Sequence, residues 1–292
     1  MKNVPIRHHY IPQFVLRQFC YEDNYLWFKH KDTGVVESLE TRDVFMEKYL
    51  YYFKDDDADY YEIENALADY ENEISRLLLD QFYDEKIIHI TYAEQESIKL
   101  FYALMGFRSK RAADYFKNSK DKGFVDYYSI FQNDNDFEAF WKRNLKELVK
   151  CRSFLEVSRN PNIDKPVKVF MLRDTTGIFG SYLKVVETIN EEFILTDSYP
   201  LVIFGNNAAG MEINLYEVFP ISPKRAILIV YDKVDEFINF NDSILPKGFF
   251  TKPEVKDGVL ELYVKKMKDE TVRALNAKTE EINQIGTIIH NY

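Results

Sequence analysis

The chain has 292 residues, with 48 Asp and Glu against 38 Lys and Arg and a net charge of -10, which excludes a protein that coats nucleic acid or a membrane through bulk positive charge. A chain of this length buries about three quarters of its unfolded surface, so folding requires no disulfide or structural metal. The two cysteines, Cys20 and Cys151, lie far apart and outside any Cys-x-x-Cys spacing, which excludes a disulfide framework and a zinc ribbon and points to a reducing, cytoplasmic compartment.

No apolar run approaches the roughly 20 residues of a membrane span, and the start of the chain carries no signal-peptide core, so no membrane association is expected. In chain order, Asn24–Lys31 and Val35–Leu39 flank Asp32-Thr33-Gly34, two β-prone runs around a Gly-containing turn, and predict a hairpin. From Asp59 to Phe82, Ile63, Leu67, Tyr70, Ile74, Leu77 and Leu78 recur at spacings of three and four and predict an amphipathic helix. Its polar face carries Glu62, Glu64, Asp69, Glu71 and Glu73. Thr91 and Glu94 form a capping box opening a second helix that the period carries to Phe116. A third helix is expected from Phe137 to Val157. Asp55-Asp56-Asp57 with Asp59 reads as an acidic helix entry, since the spacing of a calcium loop is absent.

After Pro161 and Pro166 the period changes. Val167–Leu172, Tyr182–Thr188, Phe193–Thr196, Leu201–Phe204, Ile213–Phe219 and Ala226–Tyr231 are short β-prone runs spaced like an antiparallel meander. A closing helix is expected from Gly258 to about Ile285. The expectation is one α+β domain over residues 1–292. A helix-rich part, 1–160, holds the hairpin and a helical layer, packed on a sheet-rich part, 161–292.

The densest chemical signal is Arg7-His8-His9-Tyr10-Ile11-Pro12 followed by Leu16-Arg17-Gln18-Phe19. Pro12 suits the first turn of a helix, which leaves His8 and His9 in an extended segment, pointing to different sides. Imidazole changes charge near neutral pH and ligates metals, while the plainer role of such a pair is to fix the chain's entry by hydrogen bonds. Arg17, among Phe14, Leu16 and Phe19, is expected near the core boundary. There a guanidinium requires an anion, with Glu64, Glu71 and Asp197 as candidate partners. Arg108 and Arg111 lie three apart and predict one basic helical face. Asp197 follows a strand just before Pro200, where a carboxylate either projects into a cleft or bonds local backbone. Ser222 between Pro220 and Pro223 lacks a nucleophile context. No phosphate-binding loop, dinucleotide fingerprint or zinc-protease motif occurs.

The His8-His9-Tyr10-Ile11-Pro12 stretch with Leu16-Arg17-Gln18-Phe19 resembles the N-terminal signature of the domain-of-unknown-function family 4238, His-His-x-x-Pro and then Leu-Arg-x-Phe. The resemblance runs along the chain through Ile63-Glu64, Phe107-Arg108, Thr196-Asp197-Ser198-Tyr199-Pro200, Phe219-Pro220-Ile221-Ser222-Pro223 and Leu275-Asn276. Ser198-Tyr199 departs from the Asn that often precedes the family's Pro. The resemblance implies a prokaryotic, cytosolic, phage-associated protein and no established chemistry.

Two functional expectations follow. In the first, His8, His9, Arg17, Glu64, Arg108 and Asp197 converge in a polar cleft between the helical layer and the sheet. A nuclease-like phosphodiester hydrolase in phage–host conflict would use them, with His8, His9 and Asp197 as ligands of a divalent metal and nucleic acid or a nucleotide as substrate. In the second, the same residues form a buried clamp in a non-catalytic module. Its aromatic surface, such as Tyr49, Tyr51, Tyr52, Tyr60 and Tyr61, would bind a protein or nucleotide. A site requires His8 or His9 partly exposed beside Asp197; a clamp requires them buried and satisfied.

Overall fold

A computed structural model of the chain describes residues 6–51, 62–118, 137–172, 180–206, 210, 212–231, 244–245 and 249–292. Asp55 to Asp59, Tyr52, Tyr60 and Tyr61 lie outside the described residues. The chain opens on β1 (Arg7–His9), turns at Pro12 into the short helix α1 (Gln13–Arg17), and forms the hairpin β2 (Tyr25–His30) and β3 (Val36–Glu40) at the expected place. β4 (Met46–Lys48) then returns to pair antiparallel with β1, setting His8 opposite Glu47.

Helix α2 (Glu62–Gln81) buries Ile63, Leu67, Tyr70, Ile74 and Leu78 of the stripe that its period predicts, and leaves Leu77, at its edge, half-buried. Each such side chain contributes about 2 kcal/mol when removed from water, before the entropy of ordering it. β5 (Ile87–Thr91) runs into α3 (Tyr92–Arg108), whose capping box forms as expected: the Glu94 N–H donates to Thr91 Oγ1 at 3.2 Å and the Thr91 N–H to Glu94 Oε2 at 2.7 Å. α3 is buried nearly all round and is the axis of the helical layer.

The expected second helix does not reach Phe116 unbroken. Ser109 leaves helical space (ψ 155°) and its hydroxyl accepts from Ala112 N–H at 3.1 Å, which starts a separate helix, α4 (Lys110–Asn118). The third helix is likewise two, α5 (Phe137–Leu148) and α6 (Phe154–Arg159), the latter capped by Ser153. Val167–Leu172 is not a strand but belongs to α7 (Lys165–Leu172). Asn144 of α5 binds Asp164 twice, by Nδ2 to Oδ2 at 2.7 Å and by accepting its N–H at 2.8 Å, and the Asp164 carbonyl accepts the first bonds of that helix. A short apolar run carries no period that tells helix from strand, and here a side-chain anchor decides.

The second half builds β6 (Tyr182–Thr188), β7 (Leu195–Thr196), β8 (Leu201–Asn206), β9 (Glu212–Pro220), β10 (Arg225–Val230), β11 (Glu254–Lys256), β12 (Val259–Tyr263), β13 (Lys265–Met267), α8 (Asp269–Ile282) and β14 (Gly286–Ile289). The expected closing helix therefore begins eleven residues late. Asp257 and Gly258, at φ of 52° and 82°, make a two-residue hairpin turn between β11 and β12. Leu260 and Leu262 then alternate inward beside Ile90 and Ile88 of β5.

Nor is the sheet a plain meander. The largest has the order β13-β6-β10-β9-β8, with β13 parallel to β6, whereas β7 joins β3-β2-β14-β7. Leu183, Val185, Ile227 and Ile229 face the helical layer in the main core. Tyr182, Val186, Leu228 and Val230 face a second core that Val272 and Leu275 of α8 close, so this sheet is buried on both sides. Residues of both halves of the sequence thus share the main core, and the fold is α+β. No helix among the described residues is long and apolar enough to cross a membrane.

Candidate functional site

Alternation along β1 exposes Arg7, buries His8 and leaves His9 half-buried on the other side. The His8 ring stacks on the Tyr51 ring, 5.4 Å between centroids and 8° from parallel. The Tyr51 backbone N–H donates to His8 Nδ1 at 2.9 Å. In the neutral ring the proton therefore sits on Nε2, which lies 3.9 Å from Glu64 Oε1. Burial pushes the Glu64 carboxyl up to about 7 against the pull of Arg108, and the charge of Glu71 adds to the rise.

Glu64 and Glu71 are seven apart on α2, two turns along one face. Both turn toward Arg108, the last residue of α3, whose side chain is fully buried. Arg108 Nη1 lies 2.7 Å from Glu71 Oε1 as an ion pair with a misaligned N–H, and Nη2 donates to the His9 carbonyl at 3.1 Å. Arg108 Nε is buried with no acceptor among the described residues. The free carbonyls at the end of α3 are taken by side chains: Tyr51 OH donates to Arg108 O at 3.0 Å and Trp141 Nε1 to Phe107 O at 2.8 Å. The set ties β1, the segment after β4, α2, α3 and α5 at one point.

Three of the six sequence candidates, His8, Glu64 and Arg108, meet there. The other three do not. His9 Nε2 is 2.7 Å from Gln13 Nε2, which also donates to the Thr41 carbonyl at 3.1 Å. Burial lowers His9 to about 4, with the Thr41 carbonyl opposing, so it is neutral at pH 7 and accepts from Gln13. Arg17 is exposed at the end of α1. Val15, Leu16 and Phe19 take the inner face of that turn and aim Arg17 at solvent, which overturns its expected place at the core boundary. The carboxylate partners foreseen for Arg17 belong in part to Arg108.

Asp197 follows β7, and its Oδ1 accepts the backbone N–H groups of Gln284 and Ile285 at 3.0 and 3.2 Å, fastening the connection between α8 and β14. Among the described residues no group of three His, Cys, Asp or Glu side chains could hold a metal, so His8, His9 and Asp197 do not form a ligand set there. Two further expectations fail. Arg108 and Arg111 lie on different helices, one buried and one exposed. Tyr51 is core rather than surface, 2% exposed.

Sequence reasoning missed Tyr51 as the central binding group and Gln13 as the partner of His9. The one legible signal was the seven-residue interval from Glu64 to Glu71, which puts two carboxylates on one helical face.

Chemically, the cluster sets the His8 imidazole 3.9 Å from the Glu64 carboxyl and holds a helix end against β1. These features define an α+β protein whose helical layer is closed by an internal His/Glu/Arg clamp. The family described as "Protein of unknown function (DUF4238)" matches residues 7–284, and the chain belongs to it. No curated protein and no solved structure matches the chain.

Proposed function

We propose that the chain is a non-catalytic binding module for a protein partner, with its N-terminal polar residues acting as an internal clamp. One observation carries this reading: the motif side chains spend their polar atoms on the protein's own backbone. His8 accepts from Tyr51 N–H, Arg108 donates to the His9 carbonyl, Gln13 links His9 to Thr41, and Asp197 accepts from Gln284 and Ile285. A general base needs a nitrogen free for substrate, whereas His8 Nδ1 is taken by the Tyr51 N–H and His9 Nε2 by the Gln13 amide.

The surface favoured for the partner is the outer face of the β3-β2-β14-β7 sheet. Tyr21 stacks on Trp27 with centroids 4.5 Å apart, Tyr292 closes on Trp27 at 5.5 Å, and exposed Tyr25 stands beside them. Tyr and Trp are the side chains enriched at binding hot spots, and Lys29, Glu40 and Arg42 supply a charged rim. The test is a cross-linking pull-down with wild type and a Trp27→Ala, Tyr21→Ala double variant that retains its circular dichroism spectrum. Loss of a specific partner from the variant supports the face; an unchanged partner list overturns it.

A second reading rests on Glu64. A carboxyl titrating near 7 beside a histidine and a buried arginine is the acid–base pairing that phosphodiester hydrolysis uses. Wild type and Glu64→Gln, assayed on DNA and RNA with magnesium or manganese, separate the two readings. Cleavage that Glu64→Gln abolishes supports the hydrolase, and its absence in wild type overturns it.

A further inference from the structure

The second core, on the side of the large sheet away from the clamp, contains one residue that its surroundings do not explain. Lys184 lies in the middle of β6, in the row that includes Tyr182 and Val186, and is only 8% exposed. Among the described residues no carboxylate pairs with it; its Nζ donates to Thr251 Oγ1 at 3.1 Å. Lys265, on the neighbouring strand β13, donates to the same oxygen at 3.3 Å and lies over the Phe249 ring at 5.6 Å. The buried acid of this sheet, Glu217, is paired in register with Ile229, which places it on the opposite face with Leu183. Glu187 is likewise occupied on that other face, by Arg225 and Lys266.

An ammonium in a mostly apolar setting beside a second ammonium is a costly arrangement, and proteins normally supply a carboxylate to it. Burial and the charge of Lys265 lower the Lys184 amine to about 8, as such surroundings require. The donor count sharpens the point. Thr251 Oγ1 accepts from both lysines, so its own O–H proton is left to give. Lys184 keeps two N–H bonds beyond the one to Thr251. These donors meet at Thr251, which is exposed, beside the edge strand β13. The Tyr182 hydroxyl holds the strap that carries Thr251 by donating to the Phe250 carbonyl at 2.6 Å.

We propose that Lys184, Lys265 and Thr251 form a binding site for a phosphate group, either inorganic phosphate or the phosphomonoester of a small metabolite. Three donor groups and two positive charges around one point match a tetrahedral dianion better than a planar monoanion such as acetate. The site is separate from the clamp and does not depend on how the clamp functions.

The test is calorimetric titration of the full chain at constant ionic strength with inorganic phosphate, adenosine monophosphate and acetate, supported by thermal melting. Wild type is expected to bind phosphate at one site and to melt higher in its presence. Lys184→Met is expected to bind at least about tenfold more weakly and to lose that shift, while Lys184→Arg stays within a few-fold of wild type. Thr251→Val removes the hydroxyl that accepts from both lysines while leaving their charges in place, provides a second variant if Lys184→Met fails to fold, and is expected to weaken binding several-fold. Tighter binding of the nucleotide than of phosphate names the phosphomonoester as ligand; equal binding names the free ion. Absence of phosphate binding to wild type, equal binding by Lys184→Met or Thr251→Val, or acetate binding as well as phosphate would overturn the proposal.

Discussion

Arg108 at the end of α3 and Lys184 in the middle of β6 are both cations held out of water, and they are provided for in opposite ways. Arg108 has a carboxylate at 2.7 Å and a backbone carbonyl at 3.1 Å, and Tyr51 binds its own carbonyl. Lys184 has, among the described residues, a neutral hydroxyl and a second lysine. A buried charge with partners fixes neighbouring elements relative to one another. One without an anion makes the fold less stable than an apolar residue would, which chain packing alone does not explain.

The contrast breaks most easily at Arg108. Arg108→Met strands the Glu71 carboxylate and the His9 carbonyl, and a loss of about 3–5 kcal/mol is expected in urea unfolding at pH 7. A loss under about 1 kcal/mol would mean that the clamp does not hold α3 to β1.

Next in size is a pair of opposed pH effects within the clamp region. The folded-state value of His9 is about 4 against an ordinary 6.5, so the unfolded chain takes up the proton first. The His9 contribution is complete above pH 6.5 and is lost as pH falls through 4. Glu64 runs the other way. With a folded value of about 7 against 4.5, it binds its proton more tightly when folded, and its contribution, complete below pH 4.5, is lost as pH rises through 7. Each amounts to about 3 kcal/mol, and over pH 4.5–6.5 the two slopes offset. Glu64→Gln is expected to unmask a loss of stability toward acid, and His9→Gln a loss toward neutral pH. Parallel melting-temperature profiles for wild type and both variants would refute the opposition.

Smaller still is Gly286→Ala at the start of β14. An added Cβ would stand 2.2 Å from the Phe28 ring and 2.8 Å from the Lys29 carbonyl, and a loss of about 1–3 kcal/mol is expected. Lys184→Met gives the smallest effect and the opposite sign: a gain of about 1 kcal/mol in phosphate-free buffer, because it removes a buried charge that has no anion among the described residues. A destabilised Lys184→Met would make the lysine a structural partner like Arg108.

Much of the fold was legible wherever a period ran long enough against water. The α2 stripe, the capping box of Thr91 and Glu94, the β2–β3 hairpin and the strand at Tyr182–Thr188 all follow from local pattern. Short runs were not legible, because their fate rests on a distant group: Val167–Leu172 on Asn144, the length of α3 on Ser109, and Val259–Met267 on the edges of β5 and β6. Of the candidate site, the sequence pointed to His8, Glu64 and Arg108 by residue type. It could not tell that Arg17 faces solvent or that Asp197 closes a turn 87 residues away.

By itself, then, the sequence determined which segments are amphipathic, which polar residues are unusual in their setting and that no strongly basic binding surface arises from net charge, since each is a local or summed property of the chain. Tertiary structure alone decided that Glu71 pairs with Arg108 rather than Arg17, that Tyr51 is spent inside, and that Lys184 lies beside Lys265 and Thr251. Partners far apart in sequence meet only when the core has closed, and burial then sets how strongly each charge needs its neighbour.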